Sequence, residues 1–182
     1  RTALTAQFLR SGTCVTNHHE LKGRNWFSSL EVPGRGRVKP IIDRDLDILR
    51  ALGIQANLED AMPEVRLLDI EKADALQKLK ARIESTHYVF LGIGAGRPTK
   101  RWPPAHVIEL MKKMLQENSQ TVFVTATVPS DKKWMEDFLL LLTSSPDLQK
   151  SFVHFENIRL RQTAAIIFHC SLFIGNDSGL KH

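Results

Sequence analysis

The sequence predicts an α/β fold, a Rossmann-like parallel sheet with flanking helices, and two observations lead to this prediction. From residue 87 onward, short apolar runs alternate with segments whose apolar residues recur every three or four positions. Such alternation of strands and helices is typical of parallel sheets joined by crossover helices. The chain has 182 residues, 42% of them hydrophobic and 25% charged, which suits a globular protein with a real core.

The four predicted strands are apolar runs, and they span residues 87–92, 121–125, 151–155 and 172–175. Helices are predicted after Pro103 and Pro104, from a cap at Ser130 to about Leu142, and over residues 160–170. The inward faces of the first two helices are expected to carry Val107, Leu110, Met111, Met114, Leu115, Trp134, Phe138, Leu141 and Leu142.

The first half of the chain has weaker patterns. A helix is predicted over residues 42–52, because Gly53 is a residue that commonly ends a helix. Residues 65–70 are interpreted as a strand and residues 71–84 as a helix. One side of that last helix is expected to carry Ala73, Leu76, Leu79 and Ile83.

Residues 17–40 are polar, basic and rich in Gly and Pro, which predicts a long loop. This loop is either a solvated surface or a contact with a phosphorylated acceptor or an anionic membrane surface. A shift in composition near residues 57–63 predicts a boundary between two domains, 1–63 and 64–182. The chain begins with Arg and stops just after the last strand and loop, so we expect a piece of a longer protein.

The charge of the chain indicates which class of partner it binds. The net charge of +5 and the pI near 9.4 favour an anionic partner, which could be a phosphorylated ligand, a nucleic acid or a membrane surface. No interleaving of basic and aromatic residues supports nucleic acid.

Two cysteines predict no disulfide framework, and the seven histidines show no metal-ligand spacing, so neither a metal nor a cofactor is expected.

Two loops follow predicted strands at the place where open parallel sheets bind ligands. Residues 94–103 contain the cations Arg97, Lys100 and Arg101, and residues 176–179 form the other loop. Cations beside a helix N-terminus suit a diphosphate. A Walker loop is excluded because Thr99 precedes the lysine, and no GxGxxG fingerprint for a dinucleotide is present.

The motifs in these loops resemble those of glycosyltransferase family 9, the lipopolysaccharide heptosyltransferases, and are closest to the heptosyltransferase II branch. The segments that carry the resemblance are Gly94-Ala95, Lys100-Arg101-Trp102-Pro103, and Asn176-Asp177-Ser178-Gly179 with His182. The resemblance implies a GT-B fold, with a partial acceptor-side domain and linker in residues 1–63 and a partial donor-binding domain in 64–182. It also implies inverting, metal-independent transfer of heptose from ADP-heptose to the lipid A–Kdo inner core, in the cytoplasm or peripherally at the inner membrane.

The resemblance also assigns roles by position. Lys100 is expected at the donor diphosphate, Ser178 and Gly179 at the distal phosphate, and Asp177 at the donor sugar. The other donor-binding residues are expected to be Gly94, Ala95, Arg101, Asp131 and His182. The family's catalytic base is an Asp that would precede this chain, so no catalytic residue is expected in it and the chain itself is expected to be inactive.

The sequence departs from the family in ways that leave the donor open. The family usually has Pro at position 93, a hydroxyl residue at 96, an apolar residue at 181, and an acidic residue soon after the second strand, where only Asp131 is available. A GT-B transferase using another nucleotide sugar and a non-catalytic nucleotide-sugar-binding module are therefore alternatives. At the level of single residues, Lys100 and Arg101 could be a solvated pair, and the loop at 177–179 could be a turn and helix cap.

Overall fold

The computed structural model of the chain describes residues 12–13, 15–17, 29–32, 40–61, 64–95 and 97–179. The chain divides into two compact units, Arg1–Glu64 and Val65–His182. It stays a prediction that the first unit belongs to an acceptor-side domain and the second to a donor-binding domain.

The described residues of the first unit include two short parallel strands, one α-helix and a 3₁₀ turn, Glu59–Ala61. Strands β1 (Val15–Asn17) and β2 (Leu30–Val32) pair in parallel, and both are contacted by helix α1 (Ile41–Ala51). The predicted helix is confirmed, and Gly53 adopts a φ of 79° just after it, a conformation that favours glycine. Strand β2 lies inside the segment predicted to be a loop; the basic residues of that segment lie outside the described residues.

The second unit is built on a parallel sheet of four strands in the order β5-β4-β3-β6. All four predicted strands are confirmed, with the third shifted by one residue and the second extended by two. Their bounds are β3 (His87–Gly92), β4 (Thr121–Thr127), β5 (Phe152–Glu156) and β6 (Leu172–Gly175). The parallel α/β prediction is therefore confirmed.

Helices cover both faces of this sheet. They are α2 (Asp69–Lys80), α3 (Pro104–Glu117), α4 (Lys132–Leu142), α5 (Pro146–Lys150) and α6 (Leu160–Phe168). Side chains of β3 alternate between two apolar cores, since Val89 and Leu91 pack with α3, α4 and α5 while Tyr88 and Phe90 pack with α2 and α6. The short helix α5 was not predicted from the sequence.

The strand predicted over residues 65–70 is wrong. Residues 65–68 are irregular, and Val65 and Leu68 are exposed although they are apolar. The carboxylate of Glu71 accepts a hydrogen bond from the backbone N–H of Leu68 at 2.8 Å, which satisfies one of the free donors at the start of α2. This local bond favours a helix that begins at Asp69 over an extended segment.

Three details of the predicted helices are corrected. On α2, Ala73 is exposed and Ala75 is buried, whereas on α4 Leu141 is exposed and Met135 is buried. Ser130 does not cap a helix, because it lies inside a 3₁₀ turn, Pro129–Asp131, that precedes α4.

Among the described residues, no helix has the length and the apolar character needed to cross a membrane.

Candidate functional site

The two marked loops emerge side by side from neighbouring strands, because β3 and β6 pair in parallel and Gly92 lies opposite Gly175. A Cβ atom at Gly175 would lie 2.8 Å from the ring of Phe173 and 3.0 Å from the carbonyl oxygen of Gly92, so the close approach needs glycine. Asn176 then ties the loops together. Its backbone N–H donates to the Gly92 carbonyl at 2.9 Å, and its side-chain Nδ2 donates to the Ile93 carbonyl at 2.7 Å.

Lys100 and Asp177, which are 77 residues apart in sequence, form an ion pair between the two loops. Their side chains are 45% and 55% exposed, so solvent reaches both. An exposed pair of this kind adds little to folding stability, about 0–1 kcal/mol, and its ammonium group is accessible to an anionic ligand. The structure thus brings together the two charged residues that the sequence places in separate motifs.

A cavity of about 450 Å³ opens between the loops that follow β3, β4 and β6. This volume lies within the range of small-molecule and cofactor sites. Four of its lining residues are predicted donor-binding residues from the two motifs: Gly94, Ala95, Ser178 and Gly179. The remaining lining residues are Ala126, Thr127, Val128, Ser130, Asp131, Ile158, Leu160 and Thr163.

The side chain of Ser178 carries an unusual feature. Its Oγ is buried and has no hydrogen-bond partner among the residues that the structure describes. Buried polar atoms are almost always hydrogen-bonded, so an orphaned hydroxyl at a cavity wall is a candidate contact for a polar ligand. At the neighbouring Gly179, a Cβ atom would meet nothing within 4 Å, which leaves open space beside that backbone.

Arg101 and Asp131 contact each other instead of facing open solvent. The guanidinium of Arg101 donates from Nη2 to Asp131 Oδ1 at 3.0 Å and to the Ser130 carbonyl at 3.3 Å. It also donates from Nε to the Ala95 carbonyl at 3.0 Å. The Arg101 side chain is 19% exposed and that of Asp131 only 7%, so this pair is largely buried.

Sequence reasoning missed one polar contact at the cavity. The hydroxyl of Thr127, a buried cavity residue, lies 2.6 Å from Nε2 of His154 on β5. Burial lowers the pKa of His154, and the nearby Glu156 opposes that shift. Three other residues of this strand, Phe152, Val153 and Phe155, are apolar. The sequence therefore predicts an apolar strand and gives no sign that His154 makes a polar contact.

A second cavity, of about 440 Å³, is lined by residues of the two loops and by residues of β3, α3 and β6. The loop residues are Thr99, Lys100, Arg101, Trp102, Asn176 and Asp177. Trp102 is 42% exposed, and its backbone is held at both ends. Its N–H donates to Asn176 Oδ1 at 3.1 Å, and its carbonyl accepts the indole N–H of Trp134 at 3.0 Å. Trp102 therefore fixes the base of the first loop while leaving part of its ring accessible.

The remaining candidates lie apart from these cavities or outside the described residues. His169 contacts the Lys72 carbonyl at 2.8 Å through Nε2, and burial raises the pKa of the Cys170 thiol to about 12. Within the described ranges, no group of three His, Cys, Asp or Glu side chains is arranged to hold a metal ion. His182 lies outside the described residues, so its expected place at the phosphate stays a prediction.

Comparisons with known proteins agree with the motifs. The sequence profile described as glycosyltransferase family 9 (heptosyltransferase) matches residues 1–182, the whole chain. The solved structure of E. coli ADP-heptose LPS heptosyltransferase II is similar, with a TM-score of 0.70 and 22% identity over 100% of this chain and 55% of that one. The family 9 glycosyl transferase from Veillonella parvula DSM 2008 gives a TM-score of 0.66 and 18% identity over 98% and 49% of the two chains. No curated protein matches significantly.

The chain thus spans about half the length of these two solved structures. Their likeness confirms the predicted GT-B type of fold, and the profile covers every residue of the chain. The protein belongs to glycosyltransferase family 9.

Proposed function

We propose that this chain holds the donor of a glycosyltransferase that transfers heptose from ADP-heptose to the lipid A–Kdo inner core of lipopolysaccharide. The observation that carries the proposal is the cavity of about 450 Å³ in which residues of both family motifs meet around the orphaned hydroxyl of Ser178. Membership of family 9 supports the reaction class, transfer of a sugar from a nucleotide. The similarity to a protein described as ADP-heptose LPS heptosyltransferase II supports the choice of donor and acceptor.

In this proposal the nucleoside lies against the apolar part of the cavity, formed by Ala126, Ile158 and Leu160. The diphosphate lies at its other wall, where Ser178 offers a hydroxyl that has no partner among the described residues and Gly179 has open space beside its backbone. Backbone N–H groups and a hydroxyl at a loop of this kind suit phosphate oxygens.

Lys100 lines the second cavity, and in this proposal its ammonium reaches the same diphosphate from the loop that follows β3. When a donor binds, its phosphate would compete with Asp177 for the lysine ammonium, since the existing pair is solvent-exposed. The carboxylate of Asp177 would contact hydroxyl groups of the donor sugar. Charge grows on the ADP leaving group as the sugar departs, and a fixed ammonium with oriented N–H donors would stabilise that charge without a metal ion.

The acceptor and the cellular location are also part of the proposal. A lipid A–Kdo acceptor carries phosphate groups, and the net charge of +5 would favour its approach and a peripheral position at the cytoplasmic face of the inner membrane. The general base is assigned to an Asp outside this chain, on the family resemblance.

The proposal is tested first by nucleotide binding. Calorimetry on the 182-residue chain should detect ADP, with UDP and GDP binding at least about tenfold more weakly. Lys113→Ala provides a matched control, since this exposed lysine lies along α3 outside both cavities. Equal affinity for all three nucleotides would favour a transferase that uses another donor, and the lack of any nucleotide binding would contradict the proposal.

Activity is tested second, with the protein incubated with ADP-heptose and a lipid A–Kdo acceptor while release of ADP is followed. Acceptor-dependent release of ADP from the full-length protein supports transfer. ADP binding without such release would instead favour the non-catalytic nucleotide-sugar-binding module.

A further inference from the structure

Arg101 connects two loops that the donor cavity separates. Its own loop follows β3, whereas Ser130 and Asp131 lie in the turn after β4. The three hydrogen bonds from its guanidinium reach the Ala95 carbonyl in the first loop and the Ser130 carbonyl and Asp131 carboxylate in the second. One side chain therefore fixes the spacing of two cavity walls.

Each oxygen of the Asp131 carboxylate has a hydrogen-bond partner within the protein. Its Oδ1 accepts from Arg101 at 3.0 Å, and its Oδ2 accepts the backbone N–H of Val128 at 3.4 Å. A Cβ atom at Gly94 would lie only 3.0 Å from Oδ2, so the first loop packs directly on this carboxylate. Asp131 is only 5% exposed. This burial and the close packing of Gly94 leave the carboxylate little room to reach the ribose hydroxyl groups of a nucleotide.

We infer that Arg101 and Asp131 are positioning residues that hold the walls of the donor cavity, and that neither touches the nucleotide. This inference rests on the proposed function, because it treats the cavity between the loops as the donor site. It reassigns two residues that the family resemblance places among the donor contacts. It also predicts that the Asp131 carboxylate does not contact the 2′- and 3′-hydroxyl groups of the ribose.

The first test compares ligands that lack one hydroxyl group. Calorimetry measures the affinities of ADP, 2′-deoxy-ADP and 3′-deoxy-ADP for the wild-type chain and for Asp131→Asn. We expect the substitution to weaken all three by the same factor, about tenfold, because the loss acts through the cavity walls. A variant that loses affinity for ADP but not for a deoxy analogue would overturn the inference, since that pattern means a direct contact with the missing hydroxyl.

The second test is chemical rescue. Arg101→Ala should bind ADP about tenfold more weakly, and added ethylguanidinium should restore binding by occupying the vacated space beside Asp131. Ethylguanidinium should not restore binding to Lys100→Ala, because the space left there is open to solvent and lacks the two backbone carbonyls that hold a guanidinium at position 101. Wild-type affinity in Arg101→Ala, or a loss that ethylguanidinium does not reverse, would overturn the inference.

A destabilised control separates positioning from general loss of stability. Leu148 is buried in α5, which leads into the amino end of β5 and so lies away from the cavity at the carboxyl ends of the strands. Leu148→Ala should unfold at a lower temperature and bind ADP as the wild type does below that transition. If wild type does not bind ADP, the proposed function fails and the inference with it. If wild type binds and only Lys100→Ala loses affinity, the inference alone fails.

Discussion

Lys100 and Arg101 are neighbours in one loop, yet their ion pairs differ in almost every physical respect. Lys100 reaches across to Asp177 in the loop after β6, and both side chains are about half exposed. Arg101 pairs with Asp131 in the turn after β4, and the side chains are 19% and 7% exposed. Lys100 has one carboxylate partner in the described structure, whereas Arg101 also binds two backbone carbonyls.

This difference separates groups that can change partners from groups that cannot. Water solvates an exposed lysine and carboxylate when they part, so their separation costs little. A buried guanidinium or carboxylate that loses its partner stays desolvated, and the cost rises steeply. We therefore assign the exposed pair to ligand exchange and the buried pair to the framework of the cavity.

The largest expected effect comes from breaking the buried pair. Asp131→Ala should lower the free energy of unfolding by about 3 kcal/mol, because it leaves the partly buried guanidinium of Arg101 without its counter-charge. Asp177→Ala is the matched variant on the exposed pair, and it should change the same quantity by less than about 1 kcal/mol. Urea denaturation followed by circular dichroism measures both. Equal losses would mean that burial does not distinguish the two pairs.

A second prediction concerns ligand affinity. Lys100→Ala should weaken ADP binding by about tenfold or more, because a charge-assisted hydrogen bond to phosphate is lost. The free energy of unfolding of the same variant should stay within about 0.5 kcal/mol of wild type, as expected for an exposed side chain. Calorimetry measures the affinity for ADP, and urea denaturation measures the free energy of unfolding. Unchanged ADP affinity would remove Lys100 from the diphosphate site.

Ser178→Ala should change stability and binding in opposite directions. Removing a buried hydroxyl that has no partner in the described part of the chain should raise the free energy of unfolding slightly, by up to about 1 kcal/mol. ADP affinity should fall severalfold, by about 1 kcal/mol, if the hydroxyl donates to a phosphate oxygen. Thermal melts with and without ADP test both at once. A variant that is less stable without ligand would show that the hydroxyl has a partner in the folded protein.

The place of Lys100 and Asp177 at one edge of the sheet could be predicted from sequence, because both loops follow apolar strands of one parallel sheet. Their pairing could not, since it depends on β3 and β6 being neighbours in the sheet. The pairing of Arg101 with Asp131 could not, since it depends on the spacing of side chains from the loops after β3 and β4. Strands β1 and β2 have three residues each, too few for a period-two pattern to appear. The apolar residues at 65–70 predicted a strand. The hydrogen bond from the Leu68 N–H to the Glu71 carboxylate instead favours a helix that begins at Asp69.

A third ion pair, away from the cavity of the two loops, gives the smallest expected effect and a pH dependence. Arg161 on α6 pairs with Glu71 on α2 and lowers the pKa of that carboxyl from its ordinary value of 4.5 to about 2, with a contribution from the Leu68 N–H. A carboxyl whose pKa is depressed by folding contributes stability above its unfolded pKa and loses it as the pH falls toward the folded one. The contribution of Glu71 should therefore be full at neutral pH and disappear between about pH 4.5 and pH 2.

Glu71→Gln isolates this contribution, because the amide oxygen can still accept the Leu68 N–H while the charge is gone. The difference in free energy of unfolding between wild type and variant should be constant above about pH 5.5 and shrink steadily at lower pH. Both side chains of the pair are solvent-exposed in part, so we expect a small difference even at neutral pH and unchanged ADP affinity. Urea denaturation of both proteins at a series of pH values measures the difference. A gap that stays constant down to about pH 3 would contradict the depressed pKa of Glu71.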